Sequence, residues 1–156
     1  MPRRYSHNLF CQEVSIMSVP VDKRTQGKLT VCVEAQQLAK YTLSITTNKK
    51  IFTEQYQHAL TDAINTTALE IYLNIWAANN VYVNLKNDLQ RADALRVRRE
   101  YQARAYANCQ KLLALIDLAK PVFHLTTKRV VYWADKTIKV KNLLRAWKDS
   151  DNKRFK

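Results

Sequence analysis

Leu112-Leu113-Ala114-Leu115-Ile116-Asp117-Leu118-Ala119-Lys120, followed by Pro121, is the stretch whose reading decides the fold. It is an apolar run inside a long helical pattern. Ala105, Cys109, Leu112, Ile116 and Ala119 recur at spacings of 4, 3, 4 and 3, which is one face of a helix. Leu113 and Leu115 widen that face, so the segment should pack against more than one neighbour. Pro121 is expected to end the helix at Lys120, because proline has no N–H to donate and disfavours a helical residue before it.

The segments on either side read as the partners. Downstream, Val130, Trp133, Thr137, Val140, Leu144 and Trp147 follow a 3-4-3-4-3 rhythm. That is the seam of a bundle helix, with Thr126 or Thr127 as its N-cap and its end near Trp147. Upstream, the basic stretch from Asp88 belongs to the same helix as the apolar run. Residues 54–80 form another helix on Leu60, Ile64, Ala68, Ile71, Ile75 and Ala78, with Tyr72 and Trp76 beside the stripe and Thr53 as the expected N-cap. Residues 28–46 form the first, on Val31, Ala35, Leu38, Thr42 and Ile45. Four helices with short connections and no convincing strand predict an all-α, up-down-up-down four-helix bundle.

The predicted organisation is a bundle over residues 28–149, a poorly ordered extension over 1–27 and a basic tail over 150–156. Met17-Ser18-Val19-Pro20 looks like a second start, so residues 1–16 read as a tag or an upstream extension. The chain has 156 residues, enough for one domain with a real core. A single Gly and three Pro argue against a turn-rich β fold. No apolar stretch is long and charge-free enough to span a bilayer, and the N-terminus lacks the apolar core of a signal peptide. Three cysteines without metal-ligand spacing read as reduced thiols, so a cytoplasmic location is expected and no membrane partner.

No catalytic constellation is present. His7, His58 and His124 are scattered, and His124 reads as a packing or capping residue. Asp62 and Glu70 share a helix face but lack the companion ligands of a bundle metal site. No Gly-rich phosphate loop accompanies the lone Gly27. The expectation is therefore a protein that is not an enzyme, with no metal and no cofactor.

Charge carries the functional reading. Lys and Arg number 26 against 13 acids, a net of +13. Residues 120–156 hold 11 basic and 3 acidic residues, a net of +8, whereas residues 53–90 hold 1 and 4, a net of −3. A polyanionic partner fits this balance, since basic side chains release counterions from a phosphate backbone. The candidate nucleic-acid contacts are Arg91, Arg96, Arg98, Arg99 and Arg104 on the third helix, and Lys128, Arg129, Lys136, Lys139, Lys141, Arg145 and Lys148 on the fourth. Contacts to phosphate, with little base reading, are expected from them. Tyr101 and Tyr106 flank the arginines and read either as stacking platforms or as rim packing.

Several segments together resemble a known family. They are Tyr41 to Phe52, Thr67-Ala68-Leu69-Glu70-Ile71-Tyr72, Trp76-Ala77-Ala78-Asn79-Asn80, and Cys109 through Ile116. Phe123-His124-Leu125, Lys128 to Trp133 and Leu143 to Asp151 continue the likeness. The family is the accessory variability determinant (Avd) proteins of diversity-generating retroelements, related to the four-helix-bundle proteins encoded within 23S rRNA intervening sequences. The resemblance spans about residues 17–156 and is weakest over 81–97. It implies a non-enzymatic homopentameric barrel that binds the element's reverse transcriptase, the template-repeat RNA and the RNA–cDNA duplex. Such a protein supports mutagenic cDNA synthesis and retrohoming. The other reading is an intervening-sequence type of interaction bundle with no polymerase partner.

Overall fold

The computed structural model describes residues 26–155, with side chains from Thr30 onward. The expectations for residues 1–25, and for Lys156, lie outside the described residues. Four helices form: α1 (Gln26–Thr46), α2 (Asp62–Asn80), α3 (Asp88–Val122) and α4 (Thr127–Arg154), with no strand among the described residues. α1 packs on α2, α2 on α3, α3 on α4 and α4 back on α1, so α2 and α4 occupy opposite corners. Contacts between distant residues fix the directions. Thr46 at the end of α1 donates to Asn65 near the start of α2 at 2.8 Å. Trp133 near the start of α4 donates to Thr42 at 3.0 Å. Arg98 near the start of α3 meets Asp151 near the end of α4 at 3.5 Å. Successive helices are therefore antiparallel, the up-down-up-down bundle.

The predicted seams build the core. Val31, Ala35, Leu38 and Thr42 of α1, Ile64, Ala68, Ile71, Ile75 and Ala78 of α2, and Ala105, Cys109, Leu112, Ile116 and Ala119 of α3 are all buried. On α4 the same holds for Trp133, Thr137, Val140, Leu144 and Trp147, while Val130 is half-buried. Each Leu or Ile taken fully out of water contributes about 1.5–3 kcal/mol. Phe52, fully buried, closes one end of the bundle: its ring lies 4.7 Å from Phe123 and 6.4 Å from Trp133.

Helix boundaries differ from expectation in three places. First, Thr53 makes no side-chain cap. The segment enters α2 through a 3-10 turn (Glu54–Tyr56) and a wider π turn (Gln57–Thr61), in which Gln57 donates to the Asp62 carboxylate at 2.6 Å. Second, α3 passes through Pro121 to Val122. Proline forfeits only one carbonyl partner when it sits in a last turn. That turn is closed beyond it by Phe123 N–H to Ala119 O at 2.9 Å and Leu125 N–H to Lys120 O at 3.0 Å. The second bond needs a left-handed residue between, and His124 takes it at φ 51°. Third, α4 runs two turns past Trp147, because Asp151 on the last one is buried. Residues 150–154, read as part of a basic tail, belong to α4.

Candidate nucleic-acid interface

The structure sorts the twelve candidate cations by what already holds them. Arg98 is the clear correction. It is only 4% exposed and cannot reach a nucleic acid. Its guanidinium contacts Asp151 at 3.5 Å, donates to Val81 O at 2.5 Å and lies 5.9 Å from the Trp147 ring centre. Asp151 in turn accepts from Gln102 at 3.0 Å. Burial pulls the Arg98 pKa down and Asp151 opposes that shift. This residue ties α3, α4 and the α2–α3 connection together.

Two other arginines of α3 are largely neutralised. Arg96 is bracketed by Asp93 at 2.8 Å and Glu100 at 2.6 Å, and hydrogen bonding with Asp93 leads the causes that raise its pKa. Arg91 pairs with Asp88 and donates to Leu85 O at 3.3 Å. Arg104 lies 5.6 Å above the Tyr101 ring. Arg99 is exposed and forms no ion pair among the described residues. Arg99 and Arg104 point about 140° apart around the helix, so the α3 arginines do not make one patch. Tyr101 and Tyr106 are half-buried and pack against the core, the rim reading.

α4 presents its cations in two rows, one on each side of the buried seam. The row toward α1 holds Lys128, Arg129, Lys136 and Lys139. Lys139 pairs with Glu34 of α1 at 2.7 Å. Lys136 lies 4.9 Å from the Tyr132 ring and 6.0 Å from that of Tyr41, and the two rings meet edge to face at 5.1 Å. Partial burial raises the Tyr41 pKa, and Arg129 acts against it. Lys128 is exposed without an ion pair among the described residues.

The row toward α3 holds Lys141, Arg145 and Lys148, at helical spacings of 4 and 3. Lys141 borders Cys109 of α3, whose thiol burial pushes up to about 12 while the lysine charge pulls it down. Arg145 and Lys148 are exposed, and none of the three forms an ion pair among the described residues. Arg99, next to the buried Arg98, opens to solvent at the same end of the α3–α4 pair. These four cations form the candidate interface. Of the acids near them on α4, Asp151 is taken up by Arg98 and Asp149 pairs with none of them among the described residues. Such a row can neutralise successive phosphates, and it carries no geometry for reading bases.

Other sequence candidates have structural roles. His124 caps α3. His58 Nδ1 lies 3.0 Å from the Asp62 carboxylate, whose pKa is lowered first by Gln57 and then by His58. Among the described residues no group of three or more His, Cys, Asp or Glu is placed to hold a metal ion. Among the described residues no helix is long and apolar enough to cross a membrane.

Two features go beyond the sequence reading, which placed Trp76 beside the α2 stripe but did not join it to Leu69 and Leu73. Tyr41 and Tyr132 lie on different helices, so no local spacing pairs them. The exposed apolar row Leu69, Leu73 and Trp76 on α2 has helical spacing of its own, and Trp76 is 55% exposed. That row was hidden behind the stronger core stripe beside it. Comparison with the models of known families, with curated proteins and with solved structures finds no match to this chain.

Proposed function

We propose that this protein is a nucleic-acid-binding accessory bundle that acts without catalysis, gripping phosphate through the α3–α4 row Arg99, Lys141, Arg145 and Lys148. The observation that carries this reading is that these four cations, one on α3 and three along the α3-facing row of α4, form no ion pair among the described residues, while Arg96, Lys139 and Arg98 are held by carboxylates. A solvated face would more often interleave acids with its bases, as the start of α3 does.

The resemblance to accessory variability determinant proteins makes the reading specific. On it, the ligand is the template RNA of a diversity-generating retroelement, or its RNA–cDNA duplex, and the protein partner is the element's reverse transcriptase. Self-association would use apolar surface such as Leu69, Leu73 and Trp76, which the bundle leaves uncovered. An intervening-sequence type of bundle would share the fold and lack the polymerase.

The test has two arms. RNA affinity is measured across salt for the wild type and for Arg99→Gln/Arg145→Gln/Lys148→Gln. The triple variant should bind more weakly, with a log–log salt slope smaller by about 2. An unchanged slope removes the row from the interface. Co-purification with the reverse transcriptase encoded beside this gene, if one is present, tests the polymerase partner. A protein that ignores polymerase and RNA together overturns the accessory reading.

A further inference from the structure

The end of the bundle where α2 hands over to α3 holds a second basic feature. Residues 81–87 are not a loose loop. Val81 O accepts from Arg98 at 2.5 Å, Val83 is buried, and Leu85 O accepts from Arg91 at 3.3 Å. Val81, Val83 and Leu85 are thus held against the bundle, and the intervening Tyr82, Asn84 and Lys86 are exposed, Asn84 and Lys86 on the rim of the cavity described next. Asn87 then caps α3 by accepting from Gln90 N–H at 3.1 Å. Against this fixed segment stands the last turn of α4, whose Phe155 N–H is bonded to Asp151 O at 3.1 Å. Between them lies a cavity of about 470 Å³, lined by Val83, Asn84, Leu85, Lys86, Arg91, Arg154 and Phe155.

Three of those side chains are cations and none is an acid. Asp88 neutralises part of Arg91 from outside the lining. Lys86 and Arg154 form no ion pair among the described residues. The carbonyls ending α4 are mildly negative, and the full charge of Arg154 outweighs them. The Arg154 guanidinium lies 5.2 Å from the Phe155 ring, so an aromatic face sits beside the charge. The volume falls within the range of small-ligand pockets, about 300–1,000 Å³.

We infer that this cavity binds a nucleotide through its phosphate monoester, with the base against Phe155. The charge count selects the monoester. A diester carries one negative charge and is served by one or two cations. A monoester carries about −1.5 to −2 at neutral pH and has three terminal oxygens, which matches Lys86, Arg154 and half-neutralised Arg91. The same chemistry arises from a free nucleoside monophosphate or from the 5′ end of a polynucleotide. The site goes beyond the proposed α3–α4 interface and shares no residue with it.

The experiment is fluorescence anisotropy with one RNA octamer labelled at its 3′ end and carrying either a 5′-phosphate or a 5′-hydroxyl. AMP and adenosine serve as competitors. The proteins are wild type, Lys86→Gln/Arg154→Gln, Phe155→Leu and the charge-matched control Lys111→Gln/Lys120→Gln, all checked for unchanged Tm. The 5′-phosphate should strengthen binding about tenfold, as charge-assisted bonds do. The Lys86/Arg154 pair should erase that preference while the control keeps it, and Phe155→Leu should reduce it. Displacement by AMP but not adenosine marks the free nucleotide as a ligand. A phosphate preference that AMP does not relieve marks the polynucleotide end. No preference in the wild type, or one that survives Lys86→Gln/Arg154→Gln, overturns the inference. Binding of the 5′-hydroxyl RNA reports the α3–α4 row independently, so the two readings fail separately.

Discussion

Asp151→Ala should be among the most damaging single changes outside the apolar core. Asp151 is 7% exposed and Arg98 4%, so neither charge is screened by water. At their 3.5 Å separation the gross attraction is about 5 kcal/mol for an effective dielectric near 20. Desolvation of both groups cancels much of it, so the pair adds little net stability. Removing one partner is different. Arg98 would stay buried with Val81 O as its remaining acceptor, and Gln102 Nε2 would lose its bond to Asp151. Breaking a buried pair in this way costs about 3–5 kcal/mol, against a total of about 5–15 kcal/mol for a domain. Arg98→Met alone should cost a similar amount, since it strands the carboxylate. Arg98→Met/Asp151→Leu together should recover most of the loss and fall short mainly by the orphaned Val81 carbonyl, about 1–3 kcal/mol. Urea unfolding followed by circular dichroism at 222 nm, on all four proteins, gives the coupling energy. Single variants costing under about 1 kcal/mol each and adding in the double would refute the buried pair. Ending the chain after Ser150 should reproduce the Asp151→Ala loss, which a dispensable tail would not.

His124→Gly should stabilise the fold by about 0.5–1 kcal/mol, because glycine holds φ 51° without the steric cost of a Cβ; a loss of stability in thermal unfolding would deny the cap. Cys109 supplies a pH test. Its folded pKa, about 12, lies above its ordinary 9.0, so the stability tied to the neutral thiol is complete below pH 9 and is lost as pH climbs toward 12. Wild type should therefore lose stability over that window faster than Cys109→Ala, by up to about 1.4 kcal/mol per pH unit. Parallel curves from chemical unfolding at pH 8.5 and pH 11 would show that the thiol is not buried as described.

The four seams were legible because burial imposes its period on any residue that can be apolar. The same seams explain what was not legible. Counting back from Ala105, Gln102 and Arg98 fall at spacings of 3 and 4; counting on from Trp147, Asp151 falls at 4. All three are core positions by geometry, filled with polar residues joined by the Arg98–Asp151 contact and the Gln102–Asp151 hydrogen bond, while Arg98 Nε and Gln102 Oε1 stay without a partner among the described residues. A periodicity read from apolar residues alone stops two turns short of Arg98 on α3 and one turn short of Asp151 on α4. It therefore assigns Arg98 to the basic surface and Asp151 to a tail. Pro121 misled for another reason. The rule that proline stops a helix concerns the helix interior, and whether a last turn survives depends on the residues beyond it, here His124 and Leu125. The candidate site was legible only as a list of cations. Which of them are available is decided by their acids. Some are near in sequence, such as Asp93 and Glu100 around Arg96. Others, such as Glu34 for Lys139, are brought in by the fold.

On the proposed function, the placement of α2 opposite α4 would make self-association and nucleic-acid binding separable. Leu73 and Trp76, 54% and 55% exposed, lie on the corner away from the α4 cations. A copy docked on that face alone would leave Arg145 and Lys148 open. α4 also exposes Val131 and Ile138, and a head-to-tail ring joining the α2 face of one copy to the α4 face of the next would cover ground beside those cations. Charge favours the second arrangement, since the α2 segment is mildly acidic and α4 strongly basic. If the protein self-associates as proposed, Leu73→Glu/Trp76→Glu should reduce the particle to monomer in light scattering, and a wild type that is itself monomeric would refute the α2 contact. The variant should also leave RNA affinity per chain unchanged or raised, because a covered flank of α4 is released. A loss of RNA binding in a folded monomer would mean that the cations work only when assembled from several copies, and the single-chain row would then be half of a site.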